Sequence, residues 1–327
     1  MERKLYGHDI GVIPAMIKMV IGNTIPDAVV QPESEQELID LMQWAIKNKI
    51  PLTPRGKATT GYGGVLPVQQ GLVVDFYSMN QVLEIDAEAM TARVQAGIVW
   101  EKLDKELKKK GLTLRLYPSS YPSATVGGWL AQGGAGIGSY EYGWFRDNVV
   151  SAKVVLPDGI TREFSGDDLD YVSDAEGITG LISEVTVSVK PLEEMGVLAI
   201  GCPHAEEFQQ LIERMVEAQL PVWSMIFINP RMAELKNKAP LMEHWGHPSE
   251  KHVLLPASFI LTLTFAETER KVIMDKLPEI MEPCQAELLP DYIAEHEWEN
   301  RFRLMAVKRL GPSLVPTEFV IPLSSLG

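Results

Sequence analysis

The stretch Pro118-Ser-Ser-Tyr-Pro-Ser-Ala-Thr-Val-Gly-Gly-Trp-Leu-Ala-Gln-Gly-Gly-Ala-Gly-Ile-Gly-Ser-Tyr-Glu-Tyr-Gly143 carries seven glycines among small residues. A packed core asks for side chains, and much of this stretch lacks them. Glycine lets backbone N–H groups approach a ligand closely and adopt positive φ. Consecutive amides in such turns make a concave anion site. The run therefore suits a large phosphate-bearing cofactor lying along bare backbone. Arg55-Gly-Lys-Ala-Thr-Thr-Gly-Tyr-Gly-Gly64 is a second loop of the same kind. The common nucleotide spacings do not fit either loop. A dinucleotide fingerprint on Gly134-x-Gly136 would need glycine or alanine at 139, which is Ser139. The next register meets Glu141, and Gly61-x-Gly63 meets Leu66. Gly56-Lys57 is followed by Ala58, so a Walker A loop fails as well.

Other chemistries find less support. His244, His247 and His252 form the only histidine cluster. H-x-x-H spacing can share a metal, but the surroundings read as loop without a carboxylate pattern, so no metal is expected. Ser119 and Ser120 lack the His/Asp setting of a serine nucleophile. Cys202 and Cys284 are far apart, with no CxxC spacing, which excludes a readable disulfide framework or iron–sulfur motif. Arg146-Asp147 reads as a structural ion pair under the glycine loop. The net charge of −14 argues against nucleic acid, and Lys108-Lys109-Lys110 reads as a solvated helix end. The N-terminus lacks the apolar core of a signal peptide, and no apolar run reaches membrane-spanning length. A cytoplasmic protein is expected, with peripheral membrane contact left open.

The elements that must position these residues fall into two rhythms. Ser34 and Glu37 have capping-box spacing ahead of an amphipathic helix through Leu38, Ile39, Leu41, Met42, Ala45 and Ile46. Short strands are expected over 71–76, 82–86 and 91–96, then a helix through Trp100, Leu103 and Leu107 that stops at Gly111. After the long glycine loop, strands flank the Pro157-Asp-Gly159 turn. A period-2 strand then carries Val185, Val187 and Val189 on one face. A boundary falls near Leu192. Beyond it the order is β-α-β, β-α-β, a ferredoxin-like split unit. A helical, charge-rich segment over 295–310 and a strand-like run over 318–323 follow.

Five segments, in order, carry a resemblance: residues 55–61, Pro118-Ser-Ser, Ala124-Thr-Val-Gly-Gly128, Tyr142-Gly-x-x-Arg-Asp147 and Ala175-Glu-Gly-x-x-Gly180-Leu-Ile. This set resembles the FAD-binding domain of the vanillyl-alcohol oxidase (PCMH-type) flavoprotein family, in its glycolate oxidase and D-lactate dehydrogenase branch. The likeness runs from about Tyr6 to the last residue. It implies an α+β fold: a two-subdomain FAD-binding domain over 1–192, then a partial ferredoxin-like substrate domain over 193–327. It implies that Pro54, Arg55, Gly56, Lys57, Ala58, Thr59, Thr60 and Gly61 hold the FAD pyrophosphate through backbone amides. Pro118, Ser119, Ser120, Ala124, Thr125, Gly127 and Gly128 would line the pyrophosphate and flavin. Gly133, Gly134, Gly136 and Gly138 would continue that wall, and Glu176, Gly177, Gly180 and Ile182 would lie near the cofactor. Members with covalent flavin often carry a histidine in the first loop. Here that loop has none, so non-covalent FAD is expected.

In the second half, Trp298-Glu-Asn-Arg301 is similar to a W-x-x-R segment of the hydroxy-acid dehydrogenases. The resemblance gives Arg301 the substrate carboxylate, for which the planar guanidinium fork is suited; Arg303, Lys308 and Arg309 are rival cations. The implied activity is oxidation of a 2-hydroxy acid of the glycolate or D-lactate type, by hydride transfer to flavin N5. The alternative is a non-catalytic or incomplete FAD-bearing subunit of a larger redox complex. A structural protein that has lost FAD is a third reading. The implied acceptors are an iron–sulfur subunit, an electron-transfer flavoprotein or a quinone. Members of this branch continue further, into an H-x-G-D-G-N-x-H-like segment that does not occur here. A fragment, a truncated product and a subunit completed by another chain all satisfy that observation.

Overall fold

The computed structural model describes residues 2–11, 15–241, 243–244, 247–248, 253–311 and 319–326. Its contacts divide the chain into Met1–Leu192 and Glu193–Gly327. The first unit opens with a 3-10 helix (Glu2–Tyr6), followed by helix α1 (Ala15–Ile21), strand β1 (Ala28–Val30) and helix α2 (Glu35–Asn48). Strands β2 (Leu52–Arg55) and β3 (Leu72–Asp75) join β1 in a parallel sheet of order β1-β3-β2. β4 (Val82–Asp86) and β5 (Thr91–Gln95) lead to helix α3 (Trp100–Lys108) and β6 (Leu112–Leu114). Helices α4 (Val126–Gln132) and α5 (Ser139–Tyr142) precede β7 (Val149–Val155), β8 (Thr161–Ser165) and β9 (Leu181–Pro191). These strands form an antiparallel sheet of order β4-β5-β9-β7-β8, with β6 on the far end of β9.

Local chemistry explains these elements. Ser34 caps α2, its Oγ accepting the Glu37 amide at 3.3 Å. The Glu37 carboxylate reaches back to the Glu33 amide at 2.9 Å, one residue earlier than a capping box requires. α2 buries Leu38, Met42 and Ala45, and Glu35 of its first turn accepts the Ser183 hydroxyl of β9 at 2.7 Å. The alternation in β9 puts Val185, Val187 and Val189 into the core. Burying each such side chain contributes about 1.5–3 kcal/mol. Beside them, Trp129 stacks on Phe145 at 4.2 Å, and Trp100 meets both rings edge-on. Lys108 pairs with the buried Asp104 at 2.7 Å, as a cation in the last helical turn should.

The second unit runs β10 (Met195–Cys202), α6 (Ala205–Glu217), β11 (Ser224–Ile228) and α7 (Pro230–Lys238). A two-residue ladder, β12 (Glu243–His244) with β13 (His247–Pro248), follows. Then come β14 (Phe259–Ala266), α8 (Arg270–Met281), β15 (Glu287–Leu288) and α9 (Asp291–Glu299). The sheet order is β11-β14-β10-β15 with every pairing antiparallel, the split βαβ arrangement expected. Both faces are covered. Leu198, Ile200, Leu261 and Leu263 pack with Phe208 of α6 and Ile273 of α8. Ala199, Ile228 and Ile260 pack with Ala233 of α7 and Ile293 of α9. Double coverage explains why β14 reads as a nearly continuous apolar run. Cys202 and Cys284 are both buried in this unit, the Cys202 thiol lying 3.5 Å from the Cys284 carbonyl.

Two expectations change. The charge-rich segment is not one helix: α9 ends at Glu299, and a separate 3-10 helix spans Leu304–Leu310. Glu318 lies outside the described residues, and Phe319 to Pro322 form no strand there. Phe319 is 80% exposed and Val320 77%. A strand needs a neighbour to take its amides and carbonyls, and this run pairs with none among the described residues. Among the described residues, no helix is long and apolar enough to cross a membrane.

Candidate cofactor site

Strand β2 ends at Arg55, and the chain leaves the sheet as a glycine-rich loop. Among the described residues, the backbone amides of Lys57, Ala58, Thr59, Thr60 and Gly61 make no hydrogen bond. Ala58 has φ +50°, in the left-handed region. Successive open amides around a left-handed residue make the concave donor set that holds an anion. Across from them stand Ser120, Ala124, Thr125, Gly128, Trp129 and Gln132, and the two sides flank an open cavity of about 390 Å³. A second cavity, of about 610 Å³, shares Gly56, Thr60, Val65, Thr125, Gly128 and Gln132 with the first. Pro54, Arg55, Gly64, Phe76, Ala96, Gly127, Ala131, Glu176, Gly177, Gly180 and Ile182 also line it. The result is one long groove, with open amides at one end and a largely apolar wall at the other.

Thr125 organises the join. Its Oγ1 caps α4 by accepting the Gly128 amide at 3.2 Å. The next amides of α4 are engaged too: Val126 donates to Ile98 at 3.0 Å and Gly127 to Ala96 at 2.8 Å. The start of α4 therefore offers no open amide at these positions, whereas the loop after β2 does. A Cβ on Gly127 would stand 2.6 Å from the Ala96 Cβ, so this glycine is what allows α4 to lie against the chain leaving β5.

Arg55 and Lys57 are held by residues that do not line the groove. The Arg55 guanidinium donates to the carbonyls of Leu5, Tyr6 and His8 at 3.4, 3.4 and 3.0 Å. Burial lowers its pKa, and the nearby Asp75, Tyr6 and Asp9 oppose that. Lys57 rests its ammonium 4.2 Å over the Tyr77 ring. Glu176 adopts φ +49° and donates its amide to Ala131 at 2.8 Å. A Cβ on Gly64 would stand 2.5 Å from its carboxylate. Desolvation first, and the Asp174 charge second, hold that carboxyl above the usual carboxylate range.

Several expected residues lie elsewhere. Gly61, Pro118, Ser119, Gly133, Gly134, Gly136 and Gly138 line neither cavity. The Pro118 carbonyl closes a turn with the Tyr121 amide at 3.0 Å. Gly133 faces the Asp174 carboxylate, and Gly136 lies against the Tyr117 carbonyl and the Trp129 ring. Arg146 pairs with Asp170 at 2.7 Å, nearer than Asp147 at 3.9 Å. Asp147 instead accepts the Trp144 amide at 3.0 Å. The groove also contains residues that the sequence did not single out. Ala131 and Gln132 follow Gly127 and Gly128 by one helical turn, a spacing that could have marked them. Gly64 belongs to the second glycine loop, whereas Phe76 and Ala96 gave no signal beyond ending a strand.

In the second unit, Arg301 stacks its guanidinium 3.7 Å over its own Trp298 ring and donates to the Trp298 carbonyl at 2.5 Å. It lines a cavity of about 360 Å³ with Lys236, Glu297 and Asn300. Arg303 and Arg309 line a different one, of about 660 Å³, with His296. His244 and His247 pair in register across β12 and β13, and His252 lies outside the described residues. Among the described residues, no cluster of three or more His, Cys, Asp or Glu could hold a metal.

Comparison with known proteins agrees with this geometry. Residues 26–165 match the family described as FAD binding domain, so the chain carries a domain of that flavoprotein family, whose cofactor is FAD. Glycolate oxidase subunit GlcD of Bacillus subtilis is 28% identical over 93% of this chain and 66% of its own length. D-lactate dehydrogenase of Archaeoglobus fulgidus is 29% identical over 69% of this chain and 53% of its own. Alkyldihydroxyacetonephosphate synthase of Caenorhabditis elegans is 33% identical over 52% and 31%. In fold, the chain is similar to a solved alkyldihydroxyacetonephosphate synthase, with a TM-score of 0.78 at 23% identity, over 94% of this chain and 62% of that one. The chain thus spans two thirds or less of the length of these relatives. The groove fits FAD. Its open amides suit a diphosphate, its glycines let backbone come close, and Phe76, Ala96 and Ile182 suit an apolar ring system.

Proposed function

We propose that this chain is the FAD-bearing part of a 2-hydroxy-acid dehydrogenase of the glycolate or D-lactate type. The observation that carries the FAD role is the groove whose open amides at 57–60 face Ser120 and Thr125. The names of the glycolate oxidase and D-lactate dehydrogenase relatives support the substrate class. FAD, when bound, supplies the two-electron acceptor for such an oxidation. The chain supplies the rest. The amides at 57–60 neutralise diphosphate charge without side-chain cations. Phe76, Ala96 and Ile182 exclude water from the wide end of the groove. Arg301 holds the substrate carboxylate through its guanidinium fork. The attachment is non-covalent, and the electrons leave to an iron–sulfur subunit, an electron-transfer flavoprotein or a quinone.

Anaerobic titration with glycolate and with D-lactate tests this reading. Bleaching of the flavin is the expected result, and Arg301→Lys should raise the substrate concentration that half-bleaches it by about tenfold, because a point charge replaces a planar fork. Flavin present at about one per chain but reduced by no hydroxy acid would reject the reading. It would favour the second one, a FAD-bearing part that turns over only with a further polypeptide, to which the partial span of the relatives also points.

A further inference from the structure

The glycine loop is held by a segment outside the matched FAD-binding region. We propose that residues 5–11 are part of the cofactor site, and that Asp9 is a positioning residue that presets the diphosphate loop. Asp9 is buried, with 8% of its surface exposed. One carboxylate oxygen accepts the Gly11 amide at 2.7 Å, and the other accepts the Gly63 amide at 2.8 Å. The Ile10 amide donates to the Thr60 carbonyl at 3.2 Å. Arg55 ties down the carbonyls of Leu5, Tyr6 and His8. The Tyr6 hydroxyl donates to Asp75, at the end of β3, at 3.0 Å. The segment is itself anchored where the Thr24 hydroxyl donates to the Gly7 carbonyl at 2.7 Å.

The physical need for this strap comes from the loop. Amides at 57–61 that make no internal bond gain nothing from holding one conformation, and ordering each residue costs backbone entropy. Something else must hold them before the anion arrives. A peptide unit is planar and trans, so its carbonyl and the next N–H point opposite ways. Fixing the Thr60 carbonyl on the strap turns the Gly61 N–H away from it. Fixing the Gly63 amide on Asp9 closes the far end of the loop. With both ends tied, the open amides are preorganised, and less of the binding energy goes into ordering.

The test uses the full chain as Asp9→Ala and Asp9→Asn. FAD affinity is read by titrating the apoprotein, and backbone order by hydrogen–deuterium exchange of the apoprotein. Asp9→Ala should weaken FAD by about 10- to 100-fold, the range for losing hydrogen bonds to a charged group. Exchange should quicken in the peptides covering 56–64 and stay unchanged in β7 and β9. Asp9→Asn, which keeps one acceptor oxygen, should recover part of both. Unchanged FAD affinity in Asp9→Ala would overturn the proposal. So would faster exchange throughout both sheets, which would assign Asp9 to general stability. Failure of the hydroxy-acid reading leaves this test intact, because it reads cofactor retention and not turnover.

Discussion

Gly127 and Glu176 show how single residues shape the groove. The space at Gly127 is filled by Ala96, so Gly127→Ala overpacks the contact between α4 and the chain after β5. A cost of about 1–3 kcal/mol is expected, seen as a lower melting temperature and poorer FAD retention on gel filtration. Glu176 makes a pH prediction. Its carboxyl is held high in the folded chain, so the folded state binds more protons than the unfolded one across that window. Stability therefore falls as pH rises through it. Glu176→Gln removes the penalty. The variant apoprotein should melt above wild type at pH 8, with the gap closing as the pH drops through the carboxylate range. Residues of this kind were only half legible in the sequence. A glycine announces bare backbone, but not whether a ligand or a neighbour occupies the space. Gly134 has open space where a Cβ would stand, whereas Gly133 has Asp174 and Gly64 has Glu176.

Two elements carry their own tests. Thr125→Ala removes the cap of α4, at a cost of about 1 kcal/mol, and loosens the wall opposite the open amides. Melting temperature and FAD affinity should fall together. Between α7 and α9, Lys236 meets the buried Glu297 at 2.5 Å. Lys236→Met strands that carboxylate, and a loss of about 3 kcal/mol is expected in urea unfolding, with Glu297→Leu as a second substitution restoring much of it. Elements with a strong local pattern could be read in advance. The capped helix α2, the alternating β9 and the βαβ order of the second unit all declare themselves within a few residues. The run over 318–323 misled because its apolar residues suit a strand, while strand formation depends on a partner remote in sequence. The segment over 295–310 has helical composition throughout, yet it turns at Asn300, where no glycine or proline marks the stop.

At the scale of the molecule, each unit has its own core. The cluster around Trp100 and Val185 lies within the first unit, and those around Phe208 and Ile293 lie within the second. Residues 1–192 expressed alone should therefore fold and hold FAD. An unfolded or flavin-free product would show that the second unit is needed for cofactor retention. The two buried thiols add a practical consequence. Cys202 and Cys284 are the only cysteines, both lie in the second unit, and desolvation raises both pKa values. Raised, buried thiols resist alkylation until the surrounding fold opens. Alkylation rate is thus a clock for opening of the second unit, while flavin release keeps time for the first. A single sample under denaturant would show which half of the chain gives way sooner.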